Sequence, residues 1–219
     1  MEYPKQVQNT IKRGAKKASY DQEIIHSILD ATEICHVAFA HDGLPMVQPI
    51  NFGRQDNRIF LHGSLQNRMT AAIVAAGTVC LEVTLLDGLK LTKSAFHHSV
   101  NYRSVVVFGS VREVQREEDK LVGLKAIINH FVPNRWDHCR PPNASELKAT
   151  RVVEITIETA SAKVATAPPQ ENKEDYPLEY WSGTIPVRQT LGEPIPNDIP
   201  ELRKIELPSH LIEFLKNNR

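Results

Sequence analysis

The stretch Ser94–Val114 reads SAFHHSVNYRSVVVFGSVREV, and its reading decides the fold. Val105, Val106, Val107 and Phe108 form a β-branched and aromatic run, the composition of a strand buried for most of its length. Ahead of that run stand His97, His98, Ser99, Asn101, Tyr102, Arg103 and Ser104. Side chains with this much hydrogen-bonding capacity, carried up to an apolar strand, predict a strand end that faces something polar.

Further strands and turns lie on both sides. Upstream, Cys35–Ala40 and Pro45–Phe52 are two apolar runs separated by His41-Asp42-Gly43, and an Asp-Gly pair between such runs signals a hairpin. Gly53–Asn57 reads as a polar turn and Arg58–His62 as a short strand. Thr78–Leu86 is a strand ending in a tight turn at Asp87-Gly88, with Leu89–Lys93 continuing it. Downstream, Arg151–Glu158 alternates as a last core strand. Helices are predicted at Asp21–Ala31, with Asp21 as cap, at Asn67–Ala76, ended by Gly77, and at Glu117–Phe131. The apolar stripe of the third is Leu121, Leu124, Ile127, Ile128 and Phe131. Pro133–Thr150 reads as a loop with a short helix. Six strands joined by short turns predict a mainly β protein, a small antiparallel barrel with helices, rather than a doubly wound parallel sheet.

With 219 residues the chain fits one large domain. The expected layout is a basic N-terminal arm at 1–20, the barrel at 21–167 and a Pro-rich segment at 168–219. That segment holds Tyr176, Tyr180 and Trp181 among its prolines, so it is expected to drape over the barrel or a partner subunit. Lys plus Arg and Asp plus Glu balance at 26 each, which argues against nucleic acid or an anionic membrane as partner. Three scattered cysteines, Cys35, Cys80 and Cys139, make neither a disulfide framework nor a zinc ribbon, and favour a reducing, cytoplasmic setting. No run of eighteen apolar residues and no apolar leader is present, so neither secretion nor membrane spanning is expected.

Candidate chemistry gathers in three places. In Leu61–Arg68, a strand ends at His62, Gly63 lets the backbone turn, and Ser64, Asn67 and Arg68 open a helix. Helix N–H groups, a hydroxyl and a guanidinium together suit a phosphate; a capped turn with a surface arginine is the plainer alternative. Neither a Walker loop nor a Gly-x-Gly-x-x-Gly turn is present. In Val47-Gln48-Pro49-Ile50-Asn51, proline inside a strand implies an edge or bulge with free backbone groups. Such groups suit the pyrimidine edge of an isoalloxazine, and Arg103 has the character to sit near its N1 and O2. A strand-end salt bridge is the plainer alternative for Arg103. Adjacent His97 and His98 point to opposite faces of a strand and cannot easily clamp one ion, so no metal site is expected; a haem would need only one of them.

Five ordered motifs carry a resemblance. They are His62-Gly63-Ser64, the HHSVNYRSVVVFG run at 97–109, Glu146–Thr150, Ser161-Ala162-Lys163, and Tyr180–Pro186. Together they resemble the pyridoxamine-phosphate-oxidase-like flavoproteins, in the branch of flavin-nucleotide-binding proteins and nitroimidazole-resistance reductases. The resemblance implies a six-stranded split β-barrel of the FMN-binding type, a homodimer with FMN between subunits, and FAD left open as the alternative. Carried over by position, Val47–Asn51 would run beside the ring, and His62, Gly63, Ser64 and Arg68 would hold the ribityl and phosphate end. Ser104 falls where the oxidases place a glutamine, and Trp181 where they place a tryptophan from the second subunit. Two departures stand out. Met69 replaces a lysine beside the phosphate arginine, and Thr184-Ile185-Pro186 replaces the Arg-x-His that grips substrate in the vitamin enzyme. Pyridoxamine phosphate oxidation is therefore not expected.

The function so implied is an FMN-dependent oxidoreductase passing electrons from a reduced nicotinamide to a small acceptor such as a nitro compound or quinone. His98 and Tyr102 are the candidate catalytic side chains. A non-catalytic flavin binder and a haem-binding split barrel are the rival readings.

Overall fold

The computed structural model describes residues 1–202 and 205–218. Nine strands form one antiparallel sheet. In chain order they are β1 (Ala18–Ser19), β2 (Ile34–His41), β3 (Leu44–Asn51), β4 (Gly53–Gln55), β5 (Arg58–Ser64), β6 (Thr78–Leu91), β7 (Ser99–Val114), β8 (Thr150–Ala165) and β9 (Gly183–Pro186). The spatial order is β3-β2-β6-β7-β8-β5-β4, with β1 added to β8 and β9 to β6. Among the described residues five α-helices accompany it: α1 (Gln22–Leu29), α2 (Arg68–Ala76), α3 (Glu117–Phe131), α4 (Ala144–Ala149) and α5 (Ser209–Asn217).

The sheet curls around one core. Val37 of β2, Ile59 and Leu61 of β5, Leu81 and Val83 of β6, Val105 and Val107 of β7, and Val153 and Ile155 of β8 all meet there, essentially without solvent contact. Alternation along each strand sends these residues inward. Burying each such side chain contributes about 1.5–3 kcal/mol. Ile25, Ile28 and Leu29 of α1 and Met69 and Ile73 of α2 close the same core from its ends. On the other side of β5, α3 covers Phe60 through Ile127, with Val114 and Val152, as a smaller second core.

Helix limits follow local chemistry. Asp21 caps α1 by accepting from the amides of Glu23 and Ile24 at 2.9 and 3.2 Å. Gly77 ends α2 at φ 69°, the left-handed conformation that glycine adopts without a Cβ penalty.

The structure corrects the expected six strands to nine. Asp87-Gly88 is no turn: β6 runs through it, with a bulge where the pairing to β7 skips between Leu86 and Gly88. The polar stretch after Phe52 contains β4, and the turn proper is at Asp56, φ 54°. β8 continues to Ala165 because the sixteen-residue β7 pairs with it along nearly its whole length. Residues 1–20 are anchored: Tyr3 and Asn9 are buried, and Asn9 donates to the Ala160 carbonyl at 3.0 Å. In the C-terminal segment, β9 pairs with Gly88–Leu91, taking the edge of β6 that β2 leaves free. No helix among the described residues is long and apolar enough to cross a membrane.

Candidate cofactor site

Among the described residues the edge strand β3 pairs only with β2, so its outer line of backbone groups is not taken by another of these strands. Pro49 sits in this edge, where its missing N–H disturbs no second ladder. Ile50 packs toward the core, so Gln48 shares the inward face, while Val47, Pro49 and Asn51 point to the outer one. In β7, Val105 and Val107 are inward and Ser104 is outward, between Thr84 of β6 and Lys163 of β8. Tyr102 shares the outward face with Ser104 and lies between Leu86 and Ala165. Val47, Pro49, Asn51, Tyr102 and Ser104 are thus gathered on one face of the sheet. His36, Ala38, Val47, Cys80 and Glu82 line a shallow depression there.

A second group forms the corner between β5 and α2. Asn67 caps α2, its Oδ1 accepting from the Thr70 amide at 3.1 Å, and Ser64 Oγ accepts from the Gln66 amide at 3.2 Å. Gly63 lets the chain pass close to Asn67: a Cβ would lie a tight 3.2 Å from Asn67 Nδ2 and 3.3 Å from its Cβ. Arg68 is exposed and has no hydrogen bond or ion pair among the described residues. Met69, in the place of a lysine, is fully buried in the core, and the corner's cations are Arg68 and Arg151, the latter paired with Glu113 and donating to the Leu65 carbonyl at 3.0 Å. His62 is half-buried, and burial pushes its pKa below the usual 6.5.

Arg103 takes the salt-bridge alternative. Its Nε and Nη2 donate to the two Asp87 carboxylate oxygens at 2.9 and 2.8 Å, and this pair raises the guanidinium pKa. It points to the face opposite Ser104, so the two neighbours do not converge on one ring by their side chains. The bulge at Asp87 is what aims the carboxylate at Arg103.

Trp181 stands at the other end of the sheet from Arg68. Ser64 pairs with Thr150, Val114 with Val152, and Thr78 with Ser110, which places the α2 corner at the first end of β6. Gly183 pairs with Leu91 at its last end. Within one chain, Trp181 and the phosphate corner are separated by the length of β6. Trp181 and Tyr180 are 64% and 66% exposed, so neither ring has a place in the core of its own chain.

His97 and His98 lie in the loop between β6 and β7. His97 Nε2 is 3.1 Å from Asn172 Nδ2; His98 Nδ1 is 3.1 Å from the Ser94 carbonyl and 3.3 Å from Thr92 Oγ1. One residue of this neighbourhood was not singled out from sequence. Lys90, on β6, is 8% exposed and has no hydrogen bond or ion pair among the described residues. Burial and the charge of Lys17 both lower its pKa. Its position inside an apolar-looking strand with no acid opposite could have marked it, but the bulge that turns it inward is invisible in sequence.

Comparison with known proteins gives a consistent picture. The flavocytochrome Anf3 from Azotobacter vinelandii is 35% identical, over 95% of this chain and 97% of that one, with a TM-score of 0.88. An FAD and heme binding protein from Mycobacterium smegmatis is 28% identical over 90% and 97%, with a TM-score of 0.84. A Bacteroides thetaiotaomicron protein provisionally assigned to 5-nitroimidazole antibiotic resistance shares the fold, at 22% identity over 67% and 86% and a TM-score of 0.58. Curated proteins give no match. The family model described as pyridoxamine 5'-phosphate oxidase matches residues 21–164, and the chain belongs to that family.

Proposed function

We propose that this chain is a flavin- and haem-binding redox protein that takes electrons from a reduced nicotinamide and delivers them to a small acceptor such as a nitro compound or quinone. The observation that carries the reading is the end-to-end similarity to a flavocytochrome, 35% identical over 95% of this chain. The mycobacterial neighbour supports the dinucleotide FAD over FMN as the flavin.

The residues fit a flavin. Arg68 is an uncommitted cation in the first turn of α2, where the amides of a nine-residue helix favour a phosphate. Ser64 and Asn67 flank it, and the free edge of β3 at Val47–Asn51 offers backbone donors and acceptors for a ring edge. When bound, the flavin supplies the hydride chemistry; the chain binds, orients and shields it. Ser104 and Tyr102 stand on the same sheet face and are the side chains placed to meet a ring or a substrate. On this reading Trp181 would come to that corner from a second copy, because β6 separates the two within one chain. A homodimer is therefore part of the reading, and it would cover Val47, Trp181 and Tyr180, all now more than half exposed.

Two families of absorption bands in the purified protein, one of flavin and one of haem, are the expected outcome. Denaturation and chromatography of the released pigment should yield FAD. A colourless protein that takes up neither FMN, FAD nor haem would overturn the reading and leave the fold standing.

A further inference from the structure

The loop from Thr92 to Ser99 contains two histidines whose nitrogens are in opposite states. His97 Nε2 lies 3.1 Å from Asn172 Nδ2, and an amide nitrogen only donates, so the lone pair of that Nε2 is already engaged. His98 Nδ1 lies 3.1 Å from the Ser94 carbonyl, which only accepts, so Nδ1 carries the proton. The lone pair of His98 is therefore on Nε2, and Nε2 has no partner among the described residues. An imidazole fixed by an Nδ1–H to carbonyl bond, with Nε2 open, is the arrangement that metal-ligating histidines adopt.

A second observation comes from the adjacent strand end. Lys90 lies two residues before Thr92, whose hydroxyl contacts His98 Nδ1 at 3.3 Å. Lys90 is 8% exposed as a residue, its ammonium has no acid partner among the described residues, and Lys17 is close enough to repel it. An ammonium left without an acid is open to an anion. Around the same loop Phe96 is 88% exposed, edge-on to His97 with ring centroids 5.1 Å apart. An open imidazole nitrogen, an unpaired ammonium and an uncovered flat ring match the iron, the propionates and the macrocycle of a haem.

We propose that His98, through Nε2, is the axial haem ligand of this chain, and that Lys90 pairs with a haem propionate. The assignment rests on the haem part of the proposed function. His62 also has no side-chain hydrogen bond among the described residues, but it belongs to the β5 corner beside Arg68. Among the described residues no three His, Cys, Asp or Glu side chains come together as a metal cage.

Ferric protoporphyrin IX titrated into the full-length protein tests this by its Soret band and low-temperature paramagnetic resonance. His98→Ala is expected to lose the ligand-bound spectrum and to regain it with added imidazole, while His97→Ala and His62→Ala keep it. Lys90→Met is expected to bind protoporphyrin IX more weakly than the parent but its dimethyl ester equally well. A wild-type spectrum in His98→Ala, or a loss confined to His97→Ala or His62→Ala, overturns the ligand assignment while haem binding stands. Equal loss of affinity for the ester and the free acid in Lys90→Met overturns the propionate contact. A wild-type protein that takes up no haem overturns the haem reading itself, whatever the variants do.

Discussion

Arg68 and Arg103 come from the same sequence reading, and their surroundings separate them. Both are basic residues singled out for a flavin, Arg68 opening α2 and Arg103 lying within β7. Arg103 is held by both oxygens of Asp87, at a bulge that turns the carboxylate toward it. Arg68 protrudes from the first turn of α2 with no protein partner among the described residues. A cation already paired contributes to the chain's own geometry; a cation left open is available to a ligand. By the same criterion Lys90 joins Arg68, although nothing in its sequence context resembles a binding motif.

The sharpest test of that contrast is a pair of affinities. Arg68→Ala should weaken flavin binding by roughly 1.5–3 kcal/mol, the range for a hydrogen bond to a charged group, with thermal stability of the flavin-free protein unchanged. Flavin titration by fluorescence quenching measures it, and an unaltered affinity would place the phosphate elsewhere. Asn67→Ala comes next. Removing the cap of α2 should cost about 1 kcal/mol of stability in urea unfolding and weaken flavin binding only through the loosened helix start. A loss of affinity with unchanged stability would mean that Asn67 touches the ligand directly. Arg103→Ala should do less: its side chain is 39% exposed, so solvent screening keeps the loss of the Asp87 pair under about 1 kcal/mol. Flavin affinity should stay at the parent value. If it falls as far as in Arg68→Ala, the distinction between the two arginines is broken.

The parts of the fold that were legible in sequence are those set by local chemistry. The helix Glu117–Phe131 has the expected limits, Asp21 caps α1, and Gly77 ends α2 in the left-handed conformation. What was not legible depends on a partner strand. The Asp-Gly pair at 87–88 has the composition of a turn, yet β7 pairs on both sides of it and converts it to a bulge. Thr159–Ala165 is too poor in β-branched residues to announce a strand; it forms because β7 is long enough to hold it. The four residues of β9 acquire their structure from the exposed edge of β6. The candidate site follows the same division. The corner His62–Arg68 is contiguous in sequence and was readable as a unit. The opposite facing of Arg103 and Ser104 also follows from strand alternation, but the partner of Arg103 lies sixteen residues away and needed the sheet register.

A pH dependence extends the contrast from cations that are always charged to one that is not. His62 lies two residues before Ser64, and burial lowers its pKa from the usual 6.5. The unfolded chain therefore takes up a proton at higher pH than the folded one. The stability contributed by this difference is complete above 6.5 and is lost as pH falls from 6.5 toward the folded value, because there the unfolded state binds more protons. His26, lowered chiefly by burial and also by Arg54, acts in the same direction, held by its 2.8 Å bond to the Tyr3 hydroxyl. Urea midpoints between pH 7.5 and 5 should therefore fall, and His62→Gln should flatten part of that slope, the smallest of the effects considered. With flavin bound, a His62 that lies against the ligand should show a displaced titration in its imidazole proton resonance, while His26 keeps its own. A His62 resonance that ignores the flavin would confine the binding corner to Ser64, Asn67 and Arg68, and leave His62 a half-buried residue of the β5 strand.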